Sequence, residues 1–333
     1  MSWQNIARIT VCTLFSACLL SACQKQTADA DNTAHKSAQG LASPIEIQHQ
    51  MGVTQLTTRP QRVAALDMNE VDFLDQLEVP IAGMVKDFIP HFLEKYQHDA
   101  TVQDLGAIVQ PNMERVHALQ PDLILMTANQ ANHYQELSEI APTLYYDVDY
   151  SNSQGQHFNI VKQHLLDLGK IFDKEALAQQ KITALEHKLN TAQQQLANRP
   201  EKALVVMHNN GAFSAFGPQS RYAFVFDQLG VKSASQVNAS SVHGQPISSE
   251  FIQHADPDIL YIIDRTAVME HRPVIAADQV SNPLLRQTKA WKNGRVIFVD
   301  ADAWYVTAAS VRSLHIVIDD VLKGYATPQP STF

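Results

Sequence analysis

Glu114-Arg115-Val116 leads through Leu119 to Pro121-Asp122-Leu123-Ile124, and Glu250-Phe251-Ile252 leads through Ala255 to Pro257-Asp258-Ile259-Leu260. The Glu-to-Pro gap is seven residues in both, and the copies are offset by 136 residues throughout. A helix that ends before a proline and passes into an apolar run is the junction of a helix with a buried strand. Upstream in each half stands a second matched pair, Phe73-Leu74-Asp75-Gln76-Leu77-Glu78-Val79 and Val225-Phe226-Asp227-Gln228-Leu229-Gly230-Val231. Two matched junctions in the same order imply two related α/β lobes.

Outward from these junctions, strands are predicted at Val63–Leu66, Ile81–Val85, Leu123–Thr127 and Leu144–Tyr146, with helices near Glu70–Leu77, Asn112–Leu119 and Asn132–Ile140. Between the halves, Phe158, Val161, Leu165, Leu168 and Phe172 recur at helical spacing, then Leu177, Ile182, Leu185, Leu189 and Leu196. This predicts two consecutive helices that join the lobes and end before Pro200. His157 and His164, seven residues apart on one face of that connector, are expected on its solvated side. A second α/β series opens at Ala203–Met207, includes strands Ile259–Ile263 and Val296–Val299, and ends in a helix near Ser310–Lys323. The domain expectation is a first lobe over 45–153, a connector over 154–198, a second lobe over 199–326 and a tail over 327–333.

The 333 residues are 45% hydrophobic and 18% charged, enough for two lobes with real cores. Acidic groups number 34 against 25 basic, a net charge of −9, which speaks against nucleic acid, whose binding needs clustered cations. The glycines form neither Gly-x-Gly-x-x-Gly nor a P-loop, which removes the usual nucleotide sites. Neither Gly-x-Ser-x-Gly nor His-Glu-x-x-His occurs, and no catalytic residue is assigned.

All three cysteines, Cys12, Cys18 and Cys23, fall in the first 23 residues, so the folded part has no disulfide and no thiolate metal site. Arg8 precedes an apolar run from Ile9 to Leu20, the form of an export signal over 1–22. Leu20-Ser21-Ala22-Cys23 resembles the bacterial lipobox, which implies cleavage before Cys23 and a lipid on it. The polar segment behind it, to residue 44, is too poor in apolar groups to fold and is expected as a flexible tether. The protein is therefore expected outside the cytoplasm, in the periplasm or on the outer face of the cytoplasmic membrane. Gln24 after the cysteine leaves open which membrane holds the anchor.

Five segments of the second half carry a more specific likeness: His208-Asn209-Asn210-Gly211-Ala212-Phe213-Ser214-Ala215-Phe216-Gly217-Pro218, Ser220-Arg221-Tyr222, His243-Gly244-Gln245, Ile263-Asp264-Arg265-Thr266 and Ala303-Trp304-Tyr305. In this order they closely resemble the ferric catecholate siderophore-binding lipoproteins of ABC importers, within the helical-backbone class of solute-binding proteins. The resemblance implies a ligand cleft between the lobes, Fe(III) bound as a siderophore complex with no permanent cofactor, an importer permease as partner, and a monomer. It also implies a carrier rather than an enzyme. A binding protein of the same architecture for haem, cobalamin or a bare metal ion is the alternative.

These residues suit that chemistry. Ligands of open α/β sheets collect beyond the carboxyl ends of strands, and Arg265 and Tyr305 each follow a predicted strand. Fe(III) is a hard cation that takes oxygen and imidazole ligands. Four catecholate oxygens leave two octahedral positions, which the resemblance assigns to the His243 imidazole and the Tyr305 phenolate. Arg221 and Arg265 would meet the remaining anionic charge. In the first lobe Asn129 stands where the resembling proteins have an arginine, which removes a cation from the cleft, and Lys86 is the residue that could compensate. Glu114 and Glu250 start matching helices, where a carboxylate favours the dipole, and the resemblance makes them the contacts with the importer.

Overall fold

The computed structural model divides into two compact units, Met1–Ser37 and Ala38–Phe333. Residues 40–148, 155–235, 237 and 243–326 are described, all in the second unit. The signal segment, Cys23, most of the tether and the tail at 327–333 lie outside the described residues.

The first-lobe sheet has five parallel strands in the order Gln103–Asp104, Gly83–Met84, Val63–Ala65, Leu123–Thr127 and Thr143–Tyr146. Every residue of the Val63–Ala65, Leu123–Thr127 and Thr143–Tyr146 strands is buried, as expected where helices cover both faces of a parallel sheet. Before it, Gly40–His49 and Gly52–Thr58 form an antiparallel hairpin. Its Ile45, Ile47 and Leu56 are buried, and the Thr54 hydroxyl donates to the Thr143 carbonyl of the sheet edge. Residues 40–44, expected as the end of the tether, are the start of this hairpin, because Leu41 packs on the core.

In the second lobe Lys202–Asn209 pairs in parallel with Ile259–Asp264, which pairs with Val296–Phe298. On its other side runs Ala212–Phe216, antiparallel, followed by Gln245–Ile247. The antiparallel edge was not expected. Asn210 and Gly211, at φ 49° and 84°, form a two-residue turn with both residues left-handed, the geometry that asparagine and glycine accept and that closes a hairpin. The sheet alternates cleanly. Val205, Ile259, Tyr261 and Ile263 face the main core, while Leu204, Val206, Leu260 and Ile262 face a smaller core around Ile252 and Ala290.

The two sequence repeats are matching pieces of structure. Asn112 and Ser248 cap their helices through the backbone N–H groups of Arg115 and Phe251. Gln120 and Asp256 end them in the left-handed conformation at φ 50° and 42°. Asp122 then accepts the Gln61 and Arg62 N–H groups at 2.7 and 2.8 Å, and Asp258 accepts that of Lys202 at 2.9 Å. In each lobe the aspartate after the proline fixes the start of the neighbouring strand.

The connector is two helices, His157–Phe172 and Glu175–Leu196, the second about 33 Å long. A Cβ on Gly169 would lie 2.8 Å from Ala178 Cβ, so the glycine permits the close approach at their junction. His157 and His164 correct the expectation of a solvated face: both are buried, on the stripe shared with Val161 and Leu168. His157 stacks on Phe224 at 4.7 Å, and burial pushes its pKa down to about 4. His164 Nε2 lies 2.9 Å from Glu70 Oε2, whose pKa is raised by burial against the pull of His164.

The final helix, Val311–Tyr325, belongs to both lobes. It packs on the connector, yet its start is fastened to the first lobe. There Arg312 donates its backbone N–H to Asp72 at 2.9 Å and its guanidinium to Asp75 at 2.8 Å and to the Phe92 carbonyl at 2.7 Å.

Candidate functional site

Tyr305 sits on a single π turn, Asp302–Val306, just beyond the Val296–Phe298 strand, with Thr307 N–H closing onto the Asp302 carbonyl at 3.2 Å. One-turn π segments recur at functional sites because they redirect a side chain within an otherwise regular backbone. The turn is held from below. Asp300 accepts the Ala303 N–H at 2.9 Å. The fully buried Trp304 donates its indole N–H to Asp320 at 3.0 Å, and the Trp304 carbonyl accepts the Tyr222 hydroxyl at 2.9 Å. Asp320 also takes the Asp300 N–H at 2.8 Å, so a carboxylate from the final helix fixes both ends of the strand-to-turn passage.

Two guanidinium groups flank the Tyr305 ring. Arg265, directly after the Ile259–Asp264 strand, donates Nε–H to the Tyr305 hydroxyl oxygen at 2.8 Å and Nη1–H to Asn209 Oδ1 at 3.0 Å. Arg221 donates to the Tyr305 carbonyl at 3.0 Å. Their charges stand 5.4 and 5.7 Å from the ring centroid, within cation–π range. Asp264, the neighbouring carboxylate that could have claimed Arg265, instead binds Arg272 at 2.9 Å and the Ile275 N–H at 2.9 Å. Both flanking arginines are half-buried, so positive charge is concentrated at one place on an acidic chain.

His243 is on the same lobe, exposed, at the turn that passes into Gly244. Gly244 is at φ 74°, and a Cβ there would meet the Ala215 carbonyl at 2.9 Å, so the chain beside His243 lies tight on the Ala212–Phe216 strand. Asn129 and Lys86 stand on the first lobe, each beyond the carboxyl end of a strand. Asn129 is exposed and donates its amide N–H to Asp67 Oδ2 at 3.1 Å, while Asp67 also accepts from the Thr127 hydroxyl at 3.0 Å. Lys86 reaches back to the Asp99 carbonyl at 2.9 Å, which holds its ammonium against its own loop. The structure thus brings Arg221, Arg265 and Tyr305 into direct contact and places Asn129 and Lys86 on the other lobe.

Glu114 and Glu250 are both exposed in the first turns of their matched helices. The Ser248 hydroxyl beside Glu250 holds its carboxyl below the ordinary range. Cys23 lies outside the described residues.

Sequence reasoning missed Asn209, which orients Arg265, and Asp320, which carries Trp304. Asn209 ends the central strand inside the quoted His208–Pro218 segment, so the rule that ligand sites gather at strand carboxyl ends could have found it. Asp320 left no local signal. It is one buried aspartate in a helix 16 residues beyond its partner.

A two-lobe α/β chain whose charged residues gather beyond the strand ends is built to hold a ligand. Residues 63–303 match the periplasmic binding protein family. The chain belongs to that family. Ferric-anguibactin-binding protein FatB of Vibrio anguillarum is 62% identical over 96% of this chain and 98% of its own. The structure of siderophore binding protein BauB, bound to a complex between two molecules of acinetobactin and ferric iron, superposes with a TM-score of 0.82 at 66% identity, covering 86% of this chain and all of that one. The periplasmic catecholate-siderophore binding protein VctP of Vibrio cholerae gives a TM-score of 0.79 at 28% identity, over 84% of this chain and all of that one. Members of the periplasmic binding protein family bind solutes and are not enzymes, and this chain is a binding protein in the same sense.

Proposed function

We propose that this protein captures a ferric siderophore of catecholate type and delivers it to an ABC importer for iron uptake. The observation that carries the reading is the Tyr305 phenol set between Arg221 and Arg265, in a chain 62% identical to FatB and 66% identical to BauB. Catecholate oxygens bound to Fe(III) leave a net negative complex, and guanidinium groups meet such oxygens in a forked, charge-assisted geometry. Tyr305 supplies an oxygen ligand of the hard type that Fe(III) selects, and a metal-bound phenolate keeps its bond from Arg265, because an anionic oxygen accepts more strongly than a neutral one. His243 supplies the second protein ligand when the siderophore offers only four donors. Asn129 hydrogen-bonds the ligand from the first lobe without adding charge, and Lys86 supplies the first-lobe cation on leaving the Asp99 carbonyl.

Glu114 and Glu250 meet the importer, one from each lobe, and Cys23 carries the lipid that keeps the protein at the membrane. The protein works as a monomer. Native mass spectrometry with a panel of iron-loaded and iron-free siderophores tests the reading. A one-to-one protein complex with an iron-loaded catecholate siderophore supports it, and binding of haem or cobalamin in preference overturns it.

A further inference from the structure

Phe88 and His271 belong to opposite lobes, and their rings stack, with centroids 5.7 Å apart and planes 15° from parallel. Phe88 lies in the loop that follows the Gly83–Met84 strand and carries Lys86. His271 lies in the loop that follows Arg265–Met269, the short helix opened by Arg265. Each is a few positions from a charged residue of the site. The first-lobe loop also abuts the turn that carries Tyr305, because the His91 backbone N–H donates to Asp302 at 2.9 Å. The stacked pair therefore joins the lobes at an edge of the Arg221, Arg265 and Tyr305 cluster.

Both residues are left-handed, Phe88 at φ 52° and His271 at φ 50°. A phenylalanine in that conformation is a steric outlier, and such residues collect at ligand clamps, where the surrounding structure holds them. Carboxylates hold the two loops here. Asp87 accepts the Ile108 N–H with both oxygens, at 3.0 and 3.1 Å, and Asp264 accepts that of Ile275 at 2.9 Å. Among the described residues no hydrogen bond or ion pair engages the His271 ring, which is exposed and rests on Phe88. Of the four large apolar side chains exposed among the described residues, Val109 at 69% and Val274 at 41% stand next to Ile108 and Ile275. The fastened segments thus present an aromatic pair and two bare valines beside a cationic site.

We propose that Phe88 and His271 form an aryl subsite, which takes an aromatic ring of the bound siderophore by stacking. The proposal rests on the siderophore reading and deepens it. A ferric catecholate has two chemistries: negative charge on the oxygens around the metal, and apolar ring faces outside them. Arg221, Arg265 and Tyr305 answer the charge, and an anionic iron complex without rings would satisfy them as well. The ring faces need flat partners. An arene that replaces one member of a stacked pair recovers the contact it displaces, so the pair opens at small cost once a ring is at hand. A carrier built this way favours aryl-bearing ferric complexes over ringless anionic ones such as ferric citrate.

The test uses the gallium(III) and iron(III) complexes of a tetradentate bis-catecholamide, gallium being diamagnetic and of the same charge. By NMR of the gallium-loaded protein, nuclear Overhauser contacts are expected from the ligand's aryl protons to the Phe88 and His271 rings. Affinity for the iron complex is expected to fall about three- to tenfold in Phe88→Leu and in His271→Ala, and to stay near wild type in Phe88→Tyr, which keeps the ring. Phe88→Gly suits the left-handed backbone and so guards against misfolding; it should lose affinity as the leucine variant does. A bound complex with no contact to either ring overturns the subsite and leaves the siderophore reading standing. Equal affinity in wild type and in the folded leucine and glycine variants does the same. Failure of wild type to bind either complex overturns the siderophore reading and the subsite with it.

Discussion

Arg265 Nε donates to the Tyr305 hydroxyl oxygen at 2.8 Å, and this bond joins the ends of two adjacent strands at one phenol. A phenol whose oxygen is oriented by a fixed cation is set up to meet a metal complex without rearrangement. Arg265→Lys keeps the charge and loses the fork that spans Tyr305 and Asn209. Affinity for the ferric siderophore is expected to fall about tenfold to a hundredfold, the worth of a charge-assisted hydrogen bond, with little change in thermal stability. Titration by quenching of intrinsic fluorescence measures it, and unchanged affinity removes Arg265 from the site.

Tyr305→Phe keeps the ring between the two guanidinium groups and deletes the oxygen. If that oxygen reaches iron, the visible circular dichroism of the loaded protein changes along with the loss of affinity. His243→Ala is expected to weaken a tetradentate siderophore far more than a hexadentate one, which has already filled the metal's six positions. Equal losses for both ligands, with an unaltered spectrum, would mean that neither residue ligates.

The pKa of His157 drops from 6.5 to about 4, chiefly by burial and further by the nearby Arg221 charge, while a backbone hydrogen bond at Ala308 opposes the fall. Between those values the unfolded chain binds a proton that the folded chain excludes. Folding stability from this group is therefore complete above pH 6.5 and is lost as pH falls toward 4, by at most about 3 kcal/mol. Melting temperatures of wild type and His157→Gln across this range should show a shallower decline in the variant. Parallel curves would refute the assignment.

Glu114→Ala combined with Glu250→Ala should leave siderophore affinity nearly unchanged and abolish iron uptake in cells, since exposed carboxylates guide association more than they stabilise a fold. Normal uptake by the double variant would take both residues out of docking.

Cys23→Ser should release the protein in soluble form from the membrane fraction, without acyl mass. Wild-type protein that is itself recovered soluble, cleaved and unacylated would end the lipoprotein assignment.

The lobes and their repeat were legible because caps, prolines and apolar runs act locally. Asn112 and Asp122 signal their helix end and strand start within a few residues, and Ser248 and Asp258 do the same in the second half. The hairpin at Asn210-Gly211 is equally local, since an Asn-Gly pair between two apolar runs is the sequence form of a two-residue turn. His157 and His164 were misplaced although 157, 161, 164 and 168 already trace one helical stripe with Val161 and Leu168. Burial prevails there because a backbone hydrogen bond at Ala308 and the Glu70 carboxylate give the two rings polar partners. The pairing of Arg312 with Asp72 and Asp75 spans about 240 residues and is fixed only by how the lobes meet, so no local pattern could announce it.

The attachment of Arg312 also ties the two ends of the chain together. Asp72 and Asp75 lie almost wholly buried in the first lobe, and the cation that shares them arrives from the last helix, about 240 residues later in the chain. Without that helix Asp75 keeps Lys95 and the Tyr96 hydroxyl as partners from its own lobe, whereas Asp72 loses both the Arg312 backbone N–H and its guanidinium. A carboxylate left in that position is costly to keep out of water, so the far end of the chain finishes the surface of its first lobe.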